Sequence, residues 1–214
     1  MLIKKNKEDK RQLKLIKNKE EFNMKFKLKL SINTAELNRA LYKVQNELYQ
    51  NGLWNEGSPL TEVEIIIDSM PTLFKLGIFT HAIKKYEHFM GYKEGIIYIT
   101  EFSLSYLYNT KYSSVRDLVR HEYGHAFAEK YDRLISKKSF ETVFGDRYYD
   151  AKKIKMPDEA YFTDYAKDNS MEDFAETFML YLKWKGKLPK KFTNNQLIKK
   201  WNYVENVIKI ASQS

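Results

Sequence analysis

The segment His121-Glu122-Tyr123-Gly124-His125 constrains this chain of 214 residues more than any other feature. It is an H-E-x-x-H motif, and it holds two of the four histidines in the protein. Residues four positions apart share one face of an α-helix, so a helical segment would bring both imidazoles to one metal ion. The alternative is a surface helix with two solvated histidines. The flanking sequence has to discriminate between a metal-binding helix and such a surface helix.

The flanking sequence predicts a partly buried helix. Ser113 or Ser114 can cap its start, because a serine side chain accepts a hydrogen bond from a free backbone N–H of the first turn. An apolar stripe then follows at helical spacing, formed by Val115, Leu118, Val119, Ala126 and Phe127. The motif is therefore expected on an amphipathic helix of about 16 residues, which disfavours the solvated alternative.

The motif is typical of catalytic zinc sites, in which the two histidines bind the metal. Glu122 would then lie beside a metal-bound water and could act as its general base. The chain contains no cysteine, so thiolate zinc sites and cysteine nucleophiles are excluded. A catalytic zinc takes three protein ligands and keeps one open position. The metzincin pattern would place a third histidine at position 131, which is Tyr131, so we expect a downstream carboxylate on a second helix.

The stretch 170–176 offers such carboxylates, and here the chain resembles a known family. Tyr165-Ala166 followed by Glu172-Asp173-Phe174-Ala175-Glu176-Thr177-Phe178 resembles the second motif of the gluzincin peptidases related to anthrax lethal factor and the bacterial Pro-Pro endopeptidases. The segment from His121 to Ala126 is similar to the H-E-F-G-H-A of that group. The resemblance extends over residues 95–185 and leaves residues 1–60 uncovered.

The resemblance implies a ligand set and an activity. It implies one zinc ion bound by His121, His125 and Glu172, with Glu122 as general base and Tyr165 stabilising the oxyanion. The expected activity is that of a zinc-dependent endopeptidase acting on a peptide or protein substrate.

Two further acidic residues lie near the expected third ligand. Glu176, one turn after Glu172, could orient a ligating histidine or could form an ordinary salt bridge. Asp173 is assigned to the helix N-terminus, where a negative charge is favourable.

The rest of the chain predicts an α+β fold with a small, mostly antiparallel or mixed sheet, and the gluzincin resemblance implies that this fold is of the zincin-like type. Alternation over 24–30 predicts a strand, and a second strand is expected over 63–67. Residues 74–90, which include His81 and His88, are expected to be helical. The apolar run 95–100 is our candidate for an edge strand beside the cleft, where it could pair with extended substrate.

Charge is distributed unevenly along the chain. Residues 1–30 contain 11 Lys and Arg against four Asp and Glu, a net charge of +7, whereas the remaining 184 residues carry only +2. We predict a basic, flexible segment over 1–22 and a single metallopeptidase domain over 23–214. The basic residues of 1–30 could contact nucleic acid or an anionic membrane, although a solubilising tail is the favoured interpretation.

Two other functions are consistent with the sequence. One is a non-catalytic zinc-bound interaction protein that docks through its basic N-terminal arm. The other is a secreted toxin or effector peptidase, since the family resemblance permits it. No signal peptide or transmembrane segment is visible, so a cytoplasmic location is expected as synthesised, with export by a route that uses no signal peptide left open.

Overall fold

The computed structural model describes residues 34–68, 90–100, 114–150 and 156–213. These residues form six α-helices and a small sheet, which is an α+β arrangement. The elements are α1 (Thr34–Gln50), β1 (Glu64–Asp68), β2 (Met90–Lys93), β3 (Ile96–Thr100), α2 (Val115–Lys130), α3 (Asp132–Ile135), α4 (Lys138–Phe144), α5 (Ser170–Lys183) and α6 (Asn195–Ala211). Short 3-10 helices lie at Pro59–Glu62, Tyr148–Asp150, Asp158–Ala160 and Tyr165–Lys167.

The sheet has the strand order β1-β3-β2. β1 runs parallel to β3, and β2 runs antiparallel to it. Glu94 and Gly95 connect β2 to β3 with positive φ angles of 50° and 82°, as a tight hairpin turn requires. The prediction that 95–100 forms an edge strand is wrong, because β3 is paired on both sides. A continuous apolar run is typical of a buried strand, and the strand that covers the second edge of β3 is β1, from a more distant part of the chain.

The hydrophobic core lies between α2 and α5. Phe127 of α2 packs against Phe174 and Phe178 of α5, with ring centroids 6.2 and 5.2 Å away. Phe140 and Phe144 of α4 extend this cluster, and all five rings are fully buried. α1 contacts α2 and α6 contacts α5, so the two motif-bearing helices form the centre of the molecule.

Helix α2 agrees with its prediction. It covers the 16 residues Val115–Lys130, and the Ser114 side chain accepts a hydrogen bond from the Asp117 amide. The apolar stripe is buried as expected. The predicted strand over 63–67 is also confirmed to within one residue as β1.

Outside α2, some predicted boundaries need correction and some fall beyond the described residues. The expected strand over 24–30, the basic segment 1–22 and the histidines His81 and His88 lie outside the described residues. Met90 was predicted to be helical, but it begins β2. Among the described residues, no helix has the length and apolar character needed to cross a membrane.

Candidate metal centre

Three side chains from α2 and α5 converge on one point. The Nε2 atoms of His121 and His125 are 3.1 Å apart. Glu172 Oε2 lies 3.1 Å from His121 Nε2 and 3.4 Å from His125 Nε2. These three residues form a group that could hold a metal ion. The two histidines and the downstream carboxylate suggested by the sequence are therefore brought together.

The spacing of these donor atoms fits a small metal ion. Donors bound tetrahedrally at about 2.0–2.1 Å from a metal lie about 3.3 Å from one another. The observed separations of 3.1–3.4 Å bracket that value. Two imidazole nitrogens and a carboxylate oxygen at such distances also need positive charge between them, supplied by a proton or by a metal cation, because their lone pairs would otherwise repel.

The electrostatics of the site point the same way. Burial lowers the pKa of His121, but contacts with Glu172 and Glu176 outweigh burial and raise it to about 10. Burial alone would raise the pKa of Glu172, yet His125 and His121 hold it well below its ordinary value. The site therefore keeps Glu172 as a carboxylate and attracts positive charge to His121.

Each histidine makes a hydrogen bond through the nitrogen that faces away from the site. His121 Nδ1 lies 2.7 Å from Glu176 Oε1, and His125 Nδ1 lies 2.9 Å from the Tyr148 hydroxyl. Glu176 is held in turn by the Thr163 hydroxyl, which donates to Oε2 over 2.8 Å. Of the two alternatives for Glu176, this geometry favours orientation of a candidate ligand histidine.

Glu122 is buried beside the candidate ligands, with 3% of its surface exposed. Its Oε2 atom has no hydrogen-bond partner among the described residues. Burial raises the pKa of its carboxyl group, whereas the neighbouring His121 and His125 lower it. A buried carboxylate oxygen without a partner is costly, so this oxygen is suited to receive a hydrogen bond from a bound molecule.

Tyr165 lies beside His121. It begins the 3-10 helix Tyr165–Lys167 just before α5, and its side chain is buried. Its ring centroid is 5.5 Å from that of His121, with the planes tilted by 38°. The structure thus places the fifth sequence-predicted residue next to the converging donors.

The two ligand-bearing helices approach each other closely at Gly124. A Cβ atom at this position would lie 3.0 Å from the Ala175 Cα and 3.3 Å from its Cβ. Such contacts are too short for a well-packed interface. Glycine at this point of the motif therefore lets α2 and α5 approach closely enough for the donors to converge.

Gly124→Ala is expected to weaken metal binding about tenfold, because α2 and α5 must separate and supporting geometry of this kind is worth about 10–100-fold in affinity. Overpacking would cost about 1–3 kcal/mol of stability, partly offset by the gain in helix propensity of about 1 kcal/mol. Isothermal titration with zinc and thermal unfolding measure the two effects. The double variant Gly124→Ala/Ala175→Gly should restore binding only in part, because it removes the contact with the Ala175 Cβ and leaves the 3.0 Å contact with the Ala175 Cα. Wild-type affinity in Gly124→Ala would contradict the packing argument.

A buried charge network fixes α2 against α1 and α5. Arg120, which precedes the first candidate ligand, donates two hydrogen bonds of 2.8 Å to the two oxygens of Glu47 on α1. It also pairs with Asp117, which accepts a 2.8 Å hydrogen bond from Lys183 at the end of α5. This bidentate geometry restricts rotation and sliding of α2, so it holds His121 and His125 in position relative to α1 and α5.

Asp173 lies in the first turn of α5, as predicted, and it also makes an ion pair that the sequence did not indicate. The cap of α5 is Asn169, whose side chain accepts hydrogen bonds from the amides of Met171 and Glu172. Asp173 pairs with the fully buried Lys200 of α6, Oδ2 to Nζ, over 2.6 Å. Burial raises the pKa of Asp173 to about 7 and lowers that of Lys200, so neither charge would persist here without the other.

Lys200→Met is expected to destabilise the protein by about 3–5 kcal/mol, because it leaves Asp173 buried without its partner. Lys200 also donates a 2.6 Å hydrogen bond to the Ala160 carbonyl, and the variant would leave this carbonyl oxygen without that donor. Chemical denaturation at neutral pH measures the change. Lys199→Met, an exposed neighbour on the same helix, is the matched control, and equal stability of the two variants would refute this account of the pair.

Comparisons with protein-family models, with curated proteins and with solved structures found no significant match for this chain. The resemblance to gluzincins therefore stays a prediction from the two motifs.

Sequence reasoning missed two residues of the centre, Tyr148 and Thr163. Tyr148 is one of 16 tyrosines, and it follows the motif by 23 residues with no recognisable pattern around it. Thr163 lies two residues before Tyr165 and reaches Glu176 only because the chain turns there. A hydroxyl residue close to an expected site was a weak signal for Thr163, whereas nothing in the sequence singled out Tyr148.

Proposed function

We propose that this protein is a zinc-dependent endopeptidase of the gluzincin type with a zincin-like fold. One observation carries the proposal: the Nε2 atoms of His121 and His125 and the Oε2 atom of Glu172 face one another at 3.1–3.4 Å. Glu122, the fourth residue of the pattern, is buried beside them. Two histidines and a glutamate are a known ligand set for catalytic zinc.

Zinc suits these donors better than the common alternatives. Calcium and magnesium prefer oxygen ligands, and two of the three donors here are imidazole nitrogens. When bound by His121, His125 and Glu172, zinc would supply a water with its pKa lowered to about 7 and would polarise the carbonyl of a peptide bond.

The chain's own residues would move the protons. Glu122 would accept a proton from the attacking water on a carboxylate oxygen, as the water oxygen bonds to the carbonyl carbon. The same carboxylic acid would then deliver the proton to the leaving amide nitrogen as the C–N bond breaks. Its buried Oε2 is suited to this exchange, since no described residue occupies it with a hydrogen bond.

Tyr165 would stabilise the charge that develops on the carbonyl oxygen. Its ring lies beside His121, and its hydroxyl would donate a hydrogen bond to that oxygen. Tyr148 is less suited to this role, since its hydroxyl contacts the Nδ1 of His125, on the side of the ring opposite the converging donors.

Cleavage profiling with the full chain tests the proposal. The protein, loaded with one equivalent of zinc, is incubated with a peptide library derived from a proteome, and new termini are identified by mass spectrometry. We expect a recurrent set of internal bonds to be cut, and the cuts to disappear when 1,10-phenanthroline removes zinc. Zinc binding without any cleavage would instead favour the non-catalytic interaction protein.

A further inference from the structure

The two candidate ligand histidines are supported by chemically different partners. A carboxylate, Glu176, contacts His121 Nδ1 over 2.7 Å, whereas a phenol, Tyr148, contacts His125 Nδ1 over 2.9 Å. Both partners are buried, with only 2% and 3% of their surfaces exposed. The hydrogen bond to Tyr148 is therefore shielded from competition with solvent.

The direction of this hydrogen bond follows from the other ring nitrogen. His125 Nε2 faces His121 Nε2 and Glu172 Oε2, so it must present a lone pair if it is to bind a metal. In a neutral imidazole the proton then lies on Nδ1. His125 Nδ1–H therefore donates to the phenol oxygen of Tyr148, which fixes both the tautomer and the rotation of the ring.

Tyr148 is itself held firmly in place. Its ring meets Phe140 and Phe174 edge to face, at centroid distances of 5.7 and 6.0 Å. The preceding residue, Arg147, accepts a 2.9 Å hydrogen bond through its carbonyl from the hydroxyl of Ser170, the first residue of α5. The turn that carries Tyr148 is thus tied to the helix that carries Glu172, so it links candidate ligands on both helices.

We propose that Tyr148 is a positioning residue that orients His125 for metal binding. The proposal rests on the metal centre proposed above and adds a member to it. A phenol can orient an imidazole without adding charge, and this site already contains the carboxylates Glu122, Glu172 and Glu176 close together. A fourth carboxylate behind His125 would increase their mutual repulsion, whereas Tyr148 fixes the ring and leaves the charge unchanged.

The competing interpretation is that Tyr148 serves only the core. Its ring would then fill space between α4 and α5, and the hydroxyl would merely satisfy its own hydrogen bonding. Tyr148→Phe separates the two interpretations, because phenylalanine keeps the ring and its aromatic contacts and removes only the hydroxyl. Tyr149→Phe is the matched control, since Tyr149 is 55% exposed and its hydroxyl is hydrogen-bonded to Asp132 and not to a candidate ligand.

The experiment uses the full chain with zinc alone and cobalt alone as probes. We expect Tyr148→Phe to raise the dissociation constant for zinc about 10–100-fold, while Tyr149→Phe stays within twofold of wild type. The visible absorption spectrum of bound cobalt should change in Tyr148→Phe only. In the zinc form of Tyr148→Phe, proton NMR should show that the His125 Nδ1–H resonance is lost because this proton exchanges faster with water. The Nδ1–H resonance of His121 should be retained.

Each outcome has a defined consequence. If Tyr148→Phe binds zinc within twofold of wild type and keeps its cobalt spectrum, Tyr148 serves the core and the proposal is overturned. If the wild type binds zinc but cuts no peptide, the endopeptidase proposal fails, while the affinities still decide the role of Tyr148. If the wild type binds neither metal, both proposals are overturned.

Discussion

Glu122→Gln is expected to lower kcat for peptide hydrolysis by about 10²–10⁴-fold while the protein retains its zinc. Glutamine has the size and shape of glutamate, so packing around this buried position is kept, but its amide cannot accept a proton from water. The two halves of the expectation are measured separately, by steady-state kinetics on a peptide found by cleavage profiling and by metal analysis of the purified variant.

Glu129→Gln is the control for this prediction. It removes a carboxylate from the same helix, α2, one residue after the buried Ala128, at a position that is partly exposed. The control should keep wild-type activity. An unchanged kcat in Glu122→Gln, with zinc bound, would show that Glu122 does not transfer the proton.

Glu172→Ala is expected to have the second large effect, a loss of zinc affinity greater than the roughly 10–100-fold that a supporting residue contributes. It removes the only carboxylate among the three converging donors and leaves two histidines, which is too few for a catalytic zinc site. The fold should survive, because Asn169 still caps α5 and the Phe174 and Phe178 contacts are untouched.

Competition with a chelating dye of known zinc affinity measures this loss. Glu159→Ala removes an exposed glutamate outside the metal centre and serves as the control. Equal zinc affinity in Glu172→Ala and wild type would mean that a different residue completes the ligand set.

The local parts of the centre were predictable because their signals are local. His121 and His125 lie in one helix, α2, which Ser114 caps. Their i, i+4 spacing places both imidazoles on one face by helical geometry alone. Glu172 was suggested by a motif resemblance, and its approach to the histidines depends on the close contact of Gly124 with Ala175. Sequence spacing contains no information about such an approach.

The missed features depend on pairings between distant segments. Tyr148 reaches His125 from a 3-10 turn, and Asp173, in the first turn of its own helix, also pairs with Lys200 on the last helix. The central position of β3 likewise depends on which strands flank it. Each of these outcomes depends on the tertiary arrangement, whereas the pattern within a segment decides only whether it is a helix or a strand.

The most direct test of the zinc endopeptidase proposal is a zinc titration of peptide hydrolysis by the metal-stripped 214-residue chain. The predicted result is no hydrolysis without zinc, then a rate that rises linearly and reaches its plateau at one zinc per chain. Hydrolysis that does not depend on zinc, or a chain that binds one zinc and hydrolyses no peptide, would contradict the proposal.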